Sequence, residues 1–196
     1  MAVRTSSTST TQRGAELLDA LIDLYLAEGF LDFGVGELAA RLRCSRSSLY
    51  LVASSKEQII VTAVRRYFQR AAERIEVQVE AQEHAGLRLQ AYLAAVSEEL
   101  APASEQFYAD LADYPPARDL YQDNTRRAAQ RVQDIIAAGV AAGTLRPVNA
   151  RFVGAAVAEV MTAVQAGRIE AAAGLTDAEA YRALADLVYR ALETDR

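Results

Sequence analysis

The chain has 196 residues, of which 52% are hydrophobic and 24% charged, a composition that is typical of a soluble globular protein of one or two domains and excludes extensive disorder. The net charge of −5 is uneven: residues 1–75 carry ten Arg or Lys against eight Asp or Glu, whereas residues 76–196 carry eleven against eighteen, so only the first segment suits a phosphate-bearing partner. The single cysteine, Cys44, excludes an internal disulfide, and no apolar run is long enough for a membrane span, which together predict a cytoplasmic protein without a membrane partner.

The opening segment, residues 1–12, is rich in serine and threonine and has no apolar core, which excludes a signal peptide and predicts a flexible arm. In the rest of the chain, apolar residues recur at three- and four-residue spacings without sustained alternation. This pattern predicts an all-α fold of about nine helices. The first helix is predicted from about Arg13 to Glu28, with Gly29 ending it in a left-handed turn.

Two short helices are predicted next, one over Val35–Leu42 and one from Ser45 to about Val52. Ser45 is placed to cap the second of them, and Leu49 is placed to point inward. Two short helices joined by a tight turn are typical of a helix-turn-helix, in which the second helix reads DNA.

A long fourth helix is predicted from about residue 55 to Val79. The segment Ser54-Ser55-Lys56-Glu57 matches a capping box in which Ser54 accepts a hydrogen bond from the Glu57 amide. We therefore assign residues 13–58 to a helix-turn-helix domain that includes the start of this helix, and residues 59–196 to a second helical domain.

Five further helices follow in the predicted second domain. They are predicted over Leu87–Leu100, Ala103–Leu111, Ala117–Ala142, Asn149–Gly167 and from the capping box of Thr176 and Glu179 through Leu192. The last two are more widely apolar than a single core needs, which favours a homodimer in which they pair across a two-fold axis. The alternative is that they only cover their own core.

The order of these features resembles the TetR family of bacterial transcriptional repressors. The landmarks are Gly29-Phe30, Leu38-Ala39, the Ser45-initiated helix ending in Leu49-Tyr50, and Ser55-Lys56-Glu57. The resemblance implies an amino-terminal helix-turn-helix DNA-binding domain followed by a ligand-binding and dimerisation domain, and a palindromic double-stranded operator. The chain departs from the family pattern at Gly34, a weaker cap, at Arg43, where the family usually has glycine, and at Ala53, where it favours an aromatic residue.

Arg46 is the first candidate for a base contact, because it lies near the start of the predicted recognition helix and its forked guanidinium matches the O6 and N7 acceptors of guanine. Ser45, Ser47 and Ser48 are candidates for short hydrogen bonds to bases or phosphate. The resemblance implies that Tyr50 and Lys56, the only lysine of the chain, hold the DNA backbone. Further candidate phosphate contacts are Arg13, Arg41 and Arg43.

The resemblance also implies a small-molecule effector in the second domain, in a cavity framed by helices between about Leu87 and Gly167. The aromatic and polar candidates for ligand contact are Tyr67, Phe68, Tyr92, Phe107, Tyr108, Tyr114, Tyr121, Met161 and Gln165. Tyrosine hydroxyls among apolar walls suit a mostly apolar molecule, although aromatic residues at helical spacing serve first of all to pack the core.

Three classes of function follow from the sequence. The leading hypothesis is a ligand-responsive DNA-binding repressor, and the alternative is a small-molecule-binding protein of the same scaffold with weak or lost DNA binding. An enzyme is the third class, but the sequence has no glycine-rich phosphate loop, no HExxH and no CxxC, and its only histidine is His84. We therefore expect no catalytic residue, no cofactor and no metal.

Overall fold

The computed structural model describes the backbone of residues 5–192 and the side chains of residues 12–176 and 179–192. All regular secondary structure in this part of the chain is α-helical, as predicted. The ten helices are α1 (Thr5–Glu28), α2 (Val35–Arg41), α3 (Arg46–Leu49), α4 (Lys56–Glu80), α5 (Ala85–Leu100), α6 (Glu105–Asp113), α7 (Pro115–Ala141), α8 (Ala150–Gln165), α9 (Arg168–Ala173) and α10 (Asp177–Leu192). Among the helices described, none is long and apolar enough to cross a membrane.

The chain forms two compact units. The first unit comprises the chain through Phe68 together with Ala103–Tyr121, and the second comprises Gln69–Pro102 and the chain from Gln122 onward. The divisions fall inside α4 and α7, and α6 belongs to the first unit. They do not coincide with the predicted domain boundary at residues 58 and 59.

In the first unit, α1 packs against α6 and α3, and α2 packs against α3. The apolar sides of these helices, together with the start of α4 and the loop after α1, supply the core. Its largest fully buried side chains include Leu21, Tyr25, Phe30, Leu38, Leu49, Ile59, Ile60 and Leu111. In the second unit, α10 packs against α5 and α8. Its core cluster includes Val79, Leu89, Leu93, Val132, Ile136, Met161, Val164 and Tyr181.

Helix α1 begins at Thr5, earlier than the predicted start at Arg13. Helix α1 thus covers residues 5–12 of the segment predicted as a flexible arm, and residues 1–4 lie outside the described residues. Once a helix is nucleated, each added residue gains one hydrogen bond, so the apolar part of α1 can extend into a Ser/Thr-rich segment of low helix propensity. The side-chain amide of Gln12 donates to Glu16 one turn on, at 3.2 Å.

Helix α4 has its cap one residue later than predicted. The Ser55 hydroxyl, not that of Ser54, accepts the first-turn amide, from Gln58 at 3.2 Å. The Gln58 side chain reaches back to the Ser54 amide at 3.3 Å and to the Ser54 hydroxyl at 2.5 Å. Hydrogen bonds from its own backbone N–H and from Ser55 lower the pKa of Glu57. Adjacent serines followed by adjacent Glu and Gln fit two registers, and the structure adopts the later one.

Helices α3 and α7 also differ from the prediction, and one further helix was not predicted. Helix α3 ends at Leu49 rather than near Val52. Helix α7 begins at Pro115, because proline is tolerated in the first turn, where its missing N–H has no intrahelical partner. The helix that was not predicted, α9, lies between Gly167 and Gly174, both with positive φ, and is too short to produce a hydrophobic period.

Candidate nucleic-acid interface

The turn between α2 and α3 has the left-handed geometry expected at Arg43. Arg43 has φ +50°, and it is the only non-glycine residue with positive φ in the described part of the chain. Its amide donates to Ala40 O at 3.2 Å, and the Cys44 amide donates to Ala39 O at 2.9 Å. These two bonds close α2 in a Schellman motif, in which glycine usually occupies the position of Arg43. The turn therefore forms with an arginine, at a conformational cost of about 1–2 kcal/mol for an L-residue.

Three serine hydroxyls converge at the start of α3. As predicted, Ser45 caps the helix, accepting from the Ser48 amide at 3.1 Å. Its hydroxyl also lies 2.7 Å from that of Ser47 and 2.8 Å from that of Ser48. Leu49 is fully buried, while Ser45, Arg46 and Ser47 are exposed. Leu49 thus fixes α3 to the core, and the start of the helix presents hydroxyl and guanidinium groups to solvent.

The Arg46 side chain lies back against α2. A Cβ added at Gly36 would be 2.7 Å from an Arg46 guanidinium nitrogen and 3.3 Å from its central carbon. The guanidinium therefore occupies the space that any side chain at Gly36 would need. Because arginine is long and Arg46 is exposed, rotation of its side chain is enough to move it away.

Tyr50 follows α3 and is 48% exposed, and the neighbouring Leu51 is 50% exposed. Lys56 is half-buried at the first position of α4, and its Nζ donates to Leu31 O at 2.8 Å. An ammonium has three N–H donors, so binding one carbonyl leaves two for a phosphate. The sequence did not indicate that this lysine holds the loop between α1 and α2.

Of the remaining arginines predicted to contact phosphate, Arg41 is engaged within the protein. It forms an ion pair with Glu28 at the end of α1, and its guanidinium carbon lies 5.6 Å from the centre of the Phe33 ring. Arg13 and Arg43 are exposed. Arg13 and Arg41 lie on α1 and α2, whereas Arg43, the serine cluster and Tyr50 flank or belong to α3.

Asp110 of α6 was missed by the sequence analysis. It is only 4% exposed, and its Oδ2 accepts hydrogen bonds from the backbone amides of Phe30 and Leu31, the latter at 2.9 Å. Gln106 donates to its Oδ1 at 2.7 Å. Asp110 lies three residues after buried Phe107, on the apolar face of α6. An acidic residue at such a position indicates a buried, hydrogen-bonded carboxylate, and this was the signal that the sequence offered.

Six of the predicted effector contacts lie in the first unit: Tyr67, Phe68, Phe107, Tyr108, Tyr114 and Tyr121. They form one network of aromatic rings that includes Phe30. Phe68 stacks on Tyr121 with centroids 5.8 Å apart, and Tyr67 meets Phe107 edge-on at the same distance. These are the usual geometries of packed aromatic cores, so the rings contribute to the stability of the first unit whatever else they bind.

The other three predicted effector contacts, Tyr92, Met161 and Gln165, lie in the second unit, and Tyr92 and Met161 belong to its core cluster. Burial and the nearby Glu76 carboxylate raise the pKa of Tyr92, which keeps its hydroxyl a donor. The Gln165 amide nitrogen donates to the Tyr181 hydroxyl at 2.9 Å. Its buried Oε1 has no hydrogen-bond partner among the described residues.

Known structures share this arrangement of helices. A transcriptional regulator from Saccharomonospora viridis in complex with choline matches with a TM-score of 0.75 and 18% identity, over 94% of this chain and all of that one. A TetR-family regulator from Agrobacterium tumefaciens matches with a TM-score of 0.70 and 19% identity, over 94% of this chain and all of that one. A TetR regulator from Chloroflexus aurantiacus matches with a TM-score of 0.74 and 16% identity, over 96% of this chain and all of that one.

No protein-family model matches the sequence, and no curated protein matches it. The likeness is therefore one of structure at low sequence identity. The chain has the fold of the TetR-family transcriptional regulators, as the landmarks in its sequence predicted.

Proposed function

We propose that the chain is a DNA-binding transcriptional regulator that acts as a homodimer and responds to a small molecule. The observation that carries this proposal is the start of α3, where Leu49 is fully buried while Ser45, Arg46 and Ser47 remain exposed. A short helix anchored by one apolar side chain, with polar groups on its outer side, is what the major groove accepts from a helix-turn-helix.

Arg46 is the proposed base reader. Its guanidinium can leave Gly36 by side-chain rotation, and two of its N–H groups then match the O6 and N7 acceptors of guanine. Ser47 and Ser48 are proposed to add short hydrogen bonds, while Ser45 keeps its place as the helix cap. One such bidentate contact discriminates between bases by about 1–3 kcal/mol.

Phosphate binding is proposed to come from residues that flank this helix. Lys56 has two N–H donors beyond the one bound to Leu31 O, and Tyr50 presents an exposed phenol. Arg43 is exposed in the turn, and Arg13 lies on α1. Arg41 is a weaker candidate, because it would have to give up its ion pair with Glu28.

Homodimerisation is proposed through α8 and α10. Phe152 of α8 is 72% exposed and Leu187 of α10 is 65% exposed. Exposed Ala155 and Ala156 lie one turn from Phe152, and exposed Ala183 lies one turn from Leu187. A large apolar residue beside small ones on each of two neighbouring helices is suited to close packing against the same helices of a second copy.

The proposed effector is a small, mostly apolar molecule with at least one hydrogen-bond donor. The buried Gln165 Oε1 needs a donor, and a hydroxyl or N–H of a ligand would satisfy it. Choline, which is bound by the neighbour from Saccharomonospora viridis, belongs in the first panel of candidates because it combines a hydroxyl with a trimethylated ammonium group. We propose that effector binding releases the operator, so that the regulator acts as a repressor.

Selection from random DNA duplexes by the purified full chain tests the proposal. The expected outcome is an enriched palindrome whose half-sites are about one helical turn apart, bound less tightly as salt is added. If no sequence is enriched, DNA reading by α3 is rejected, and the alternative of a small-molecule-binding protein on this scaffold takes its place.

A further inference from the structure

We propose that Asp110 of α6 positions Lys56 for DNA binding, acting through the backbone of Leu31. The proposal rests on the proposed function, and it adds a residue that neither the sequence landmarks nor the predicted interface included. Asp110 itself is 4% exposed, so its carboxylate acts inside the first unit.

Both backbone polar groups of Leu31 are bound by charged side chains. Its N–H donates to Asp110 Oδ2 at 2.9 Å, and its C=O accepts from Lys56 Nζ at 2.8 Å. The anion lies at the donor end of the residue and the cation at its acceptor end, so each charge strengthens its own hydrogen bond. Leu31 is thereby fixed between α6 and the start of α4.

The carboxylate is itself held in place. Its Oδ2 also accepts from the Phe30 amide, and its Oδ1 accepts from Gln106 at 2.7 Å. A Cβ at Gly29, which has φ +80°, would come within 2.6 Å of Asp110 Oδ2. The chain therefore has glycine where the loop and the carboxylate approach most closely. A further hydrogen bond, from the Ser104 amide to Leu26 O at 2.8 Å, joins the start of α6 to the end of α1.

The consequence concerns Lys56. A lysine side chain has several rotatable bonds, and holding one of its N–H groups on a fixed carbonyl orients the other two at little entropic cost during binding. If Asp110 no longer holds the loop, Leu31 O moves and Lys56 loses its orientation. Asp110 is thus a positioning residue, which touches no DNA.

The first test needs no DNA. Lys56 is the only lysine of the chain, so the rate of acylation of its amine by an amine-reactive ester can be followed on one peptide by mass spectrometry. Asp110→Asn is expected to raise this rate several-fold, because the amine is no longer held on Leu31 O. Asp113→Asn, an exposed carboxylate of the same helix, is the matched control and is expected to leave the rate unchanged. If Asp110→Asn does not fold, Gln106→Ala loosens the same carboxylate from an exposed position and is expected to change the rate in the same direction.

The second test is a double-mutant cycle on the selected duplex. Asp110→Asn is expected to weaken binding about tenfold, the size expected for loss of one charge-assisted hydrogen bond, and to lower the salt slope by about one for each bound subunit. In the Lys56→Ala background the same substitution is expected to have no effect on affinity, since there is no ammonium left to orient.

The outcomes separate the two proposals. An unchanged acylation rate in folded Asp110→Asn overturns the positioning role. A faster rate with additive effects on DNA affinity limits Asp110 to holding the loop and overturns its action on DNA binding through Lys56. A faster rate in a chain that selects no duplex leaves the link between Asp110 and Lys56 standing and rejects the proposed function instead.

Discussion

The guanidinium of Arg46 occupies the space that a side chain at Gly36 would need. A Cβ at Gly36 would lie 2.7 Å from one guanidinium nitrogen. The residue proposed to read a base therefore rests on the first turn of α2, and we propose that it leaves this position to reach a base.

Gly36→Ala tests this relationship. Alanine denies Arg46 its resting place, and it replaces a helical glycine, which is about 1 kcal/mol less favourable than alanine. We expect affinity for the selected duplex to stay within about twofold of that of the original chain or to improve, since only the end of a flexible side chain has to move, and the free energy of unfolding to rise by up to about 1 kcal/mol. Gly14→Ala, in α1, where an added Cβ would meet nothing within 4 Å, is the control for the loss of a helical glycine. A loss of affinity as large as that of Arg46→Ala would show that the resting conformation is the one that binds.

Arg43→Gly is expected to stabilise the protein. Arg43 has φ +50°, which glycine adopts without the penalty paid by an L-residue, and the gain after the larger entropy of the unfolded glycine chain is about 1 kcal/mol. The measurement is urea-induced unfolding followed by circular dichroism. Arg43→Ala keeps a Cβ at the same φ and is expected to show no gain. Both variants remove the guanidinium and should lower the salt slope of DNA binding equally; equal stability of the two variants would contradict the strain at this turn.

The proposed dimer interface predicts that a charge at its centre separates the subunits. Phe152→Glu and Leu187→Glu each place a carboxylate in an apolar contact, at a cost of several kcal/mol per buried charge, so the dimer dissociation constant should rise by roughly 100-fold or more. Analytical ultracentrifugation over a concentration series measures it. Val77→Glu is the matched control, because Val77 is 69% exposed on α4, outside the proposed interface. Dimers that persist in both variants, or that are lost equally in the control, would place the interface elsewhere.

The cap of α10 predicts a specific pH dependence. Glu179 Oε2 accepts from the Thr176 amide and hydroxyl at 2.9 and 2.8 Å, and these hydrogen bonds lower the pKa of the carboxyl below its ordinary value of 4.5. A depressed pKa in the folded state contributes stability above the pKa of the unfolded chain, and that contribution is lost as the pH falls through the folded value.

Glu179→Gln keeps an acceptor at this cap but does not titrate. The stability difference between the original chain and this variant should therefore be constant near neutral pH and should shrink below about pH 4.5. Chemical unfolding at a series of pH values gives the difference directly. A stability difference that does not depend on pH would contradict the stabilisation of the cap by the ionised Glu179 carboxylate.

The features that could be predicted from the sequence are local ones. Gly29 ends α1, Ser45 caps α3 and Thr176 with Glu179 caps α10, because each of these depends on residues within a turn of each other. Where the local pattern fitted two registers, as at Ser54 and Ser55, the prediction was wrong by one residue. The positive φ of Arg43 was expected because the family resemblance placed a glycine there.

The features that could not be predicted depend on contacts between distant segments. Asp110 and Leu31 lie 79 residues apart in the chain, and nothing near either residue indicates the hydrogen bond between them. The resting place of Arg46 on Gly36 depends on how α2 and α3 pack. The predicted effector contacts also fell into both compact units, because aromatic residues at helical spacing do not show which core they enter.

The central claim is that the exposed start of α3 reads DNA while Lys56 holds its backbone. The most direct measurement is a mobility-shift titration of the selected duplex, and of the duplex with its contacted guanine replaced, at several salt concentrations. Arg46→Ala is expected to cost about 1–3 kcal/mol on the selected duplex and to bind both duplexes equally, whereas Lys56→Ala should weaken both alike and lower the salt slope by about one for each bound subunit. If both variants bind the selected duplex with the affinity and salt dependence of the original chain, the claim is contradicted.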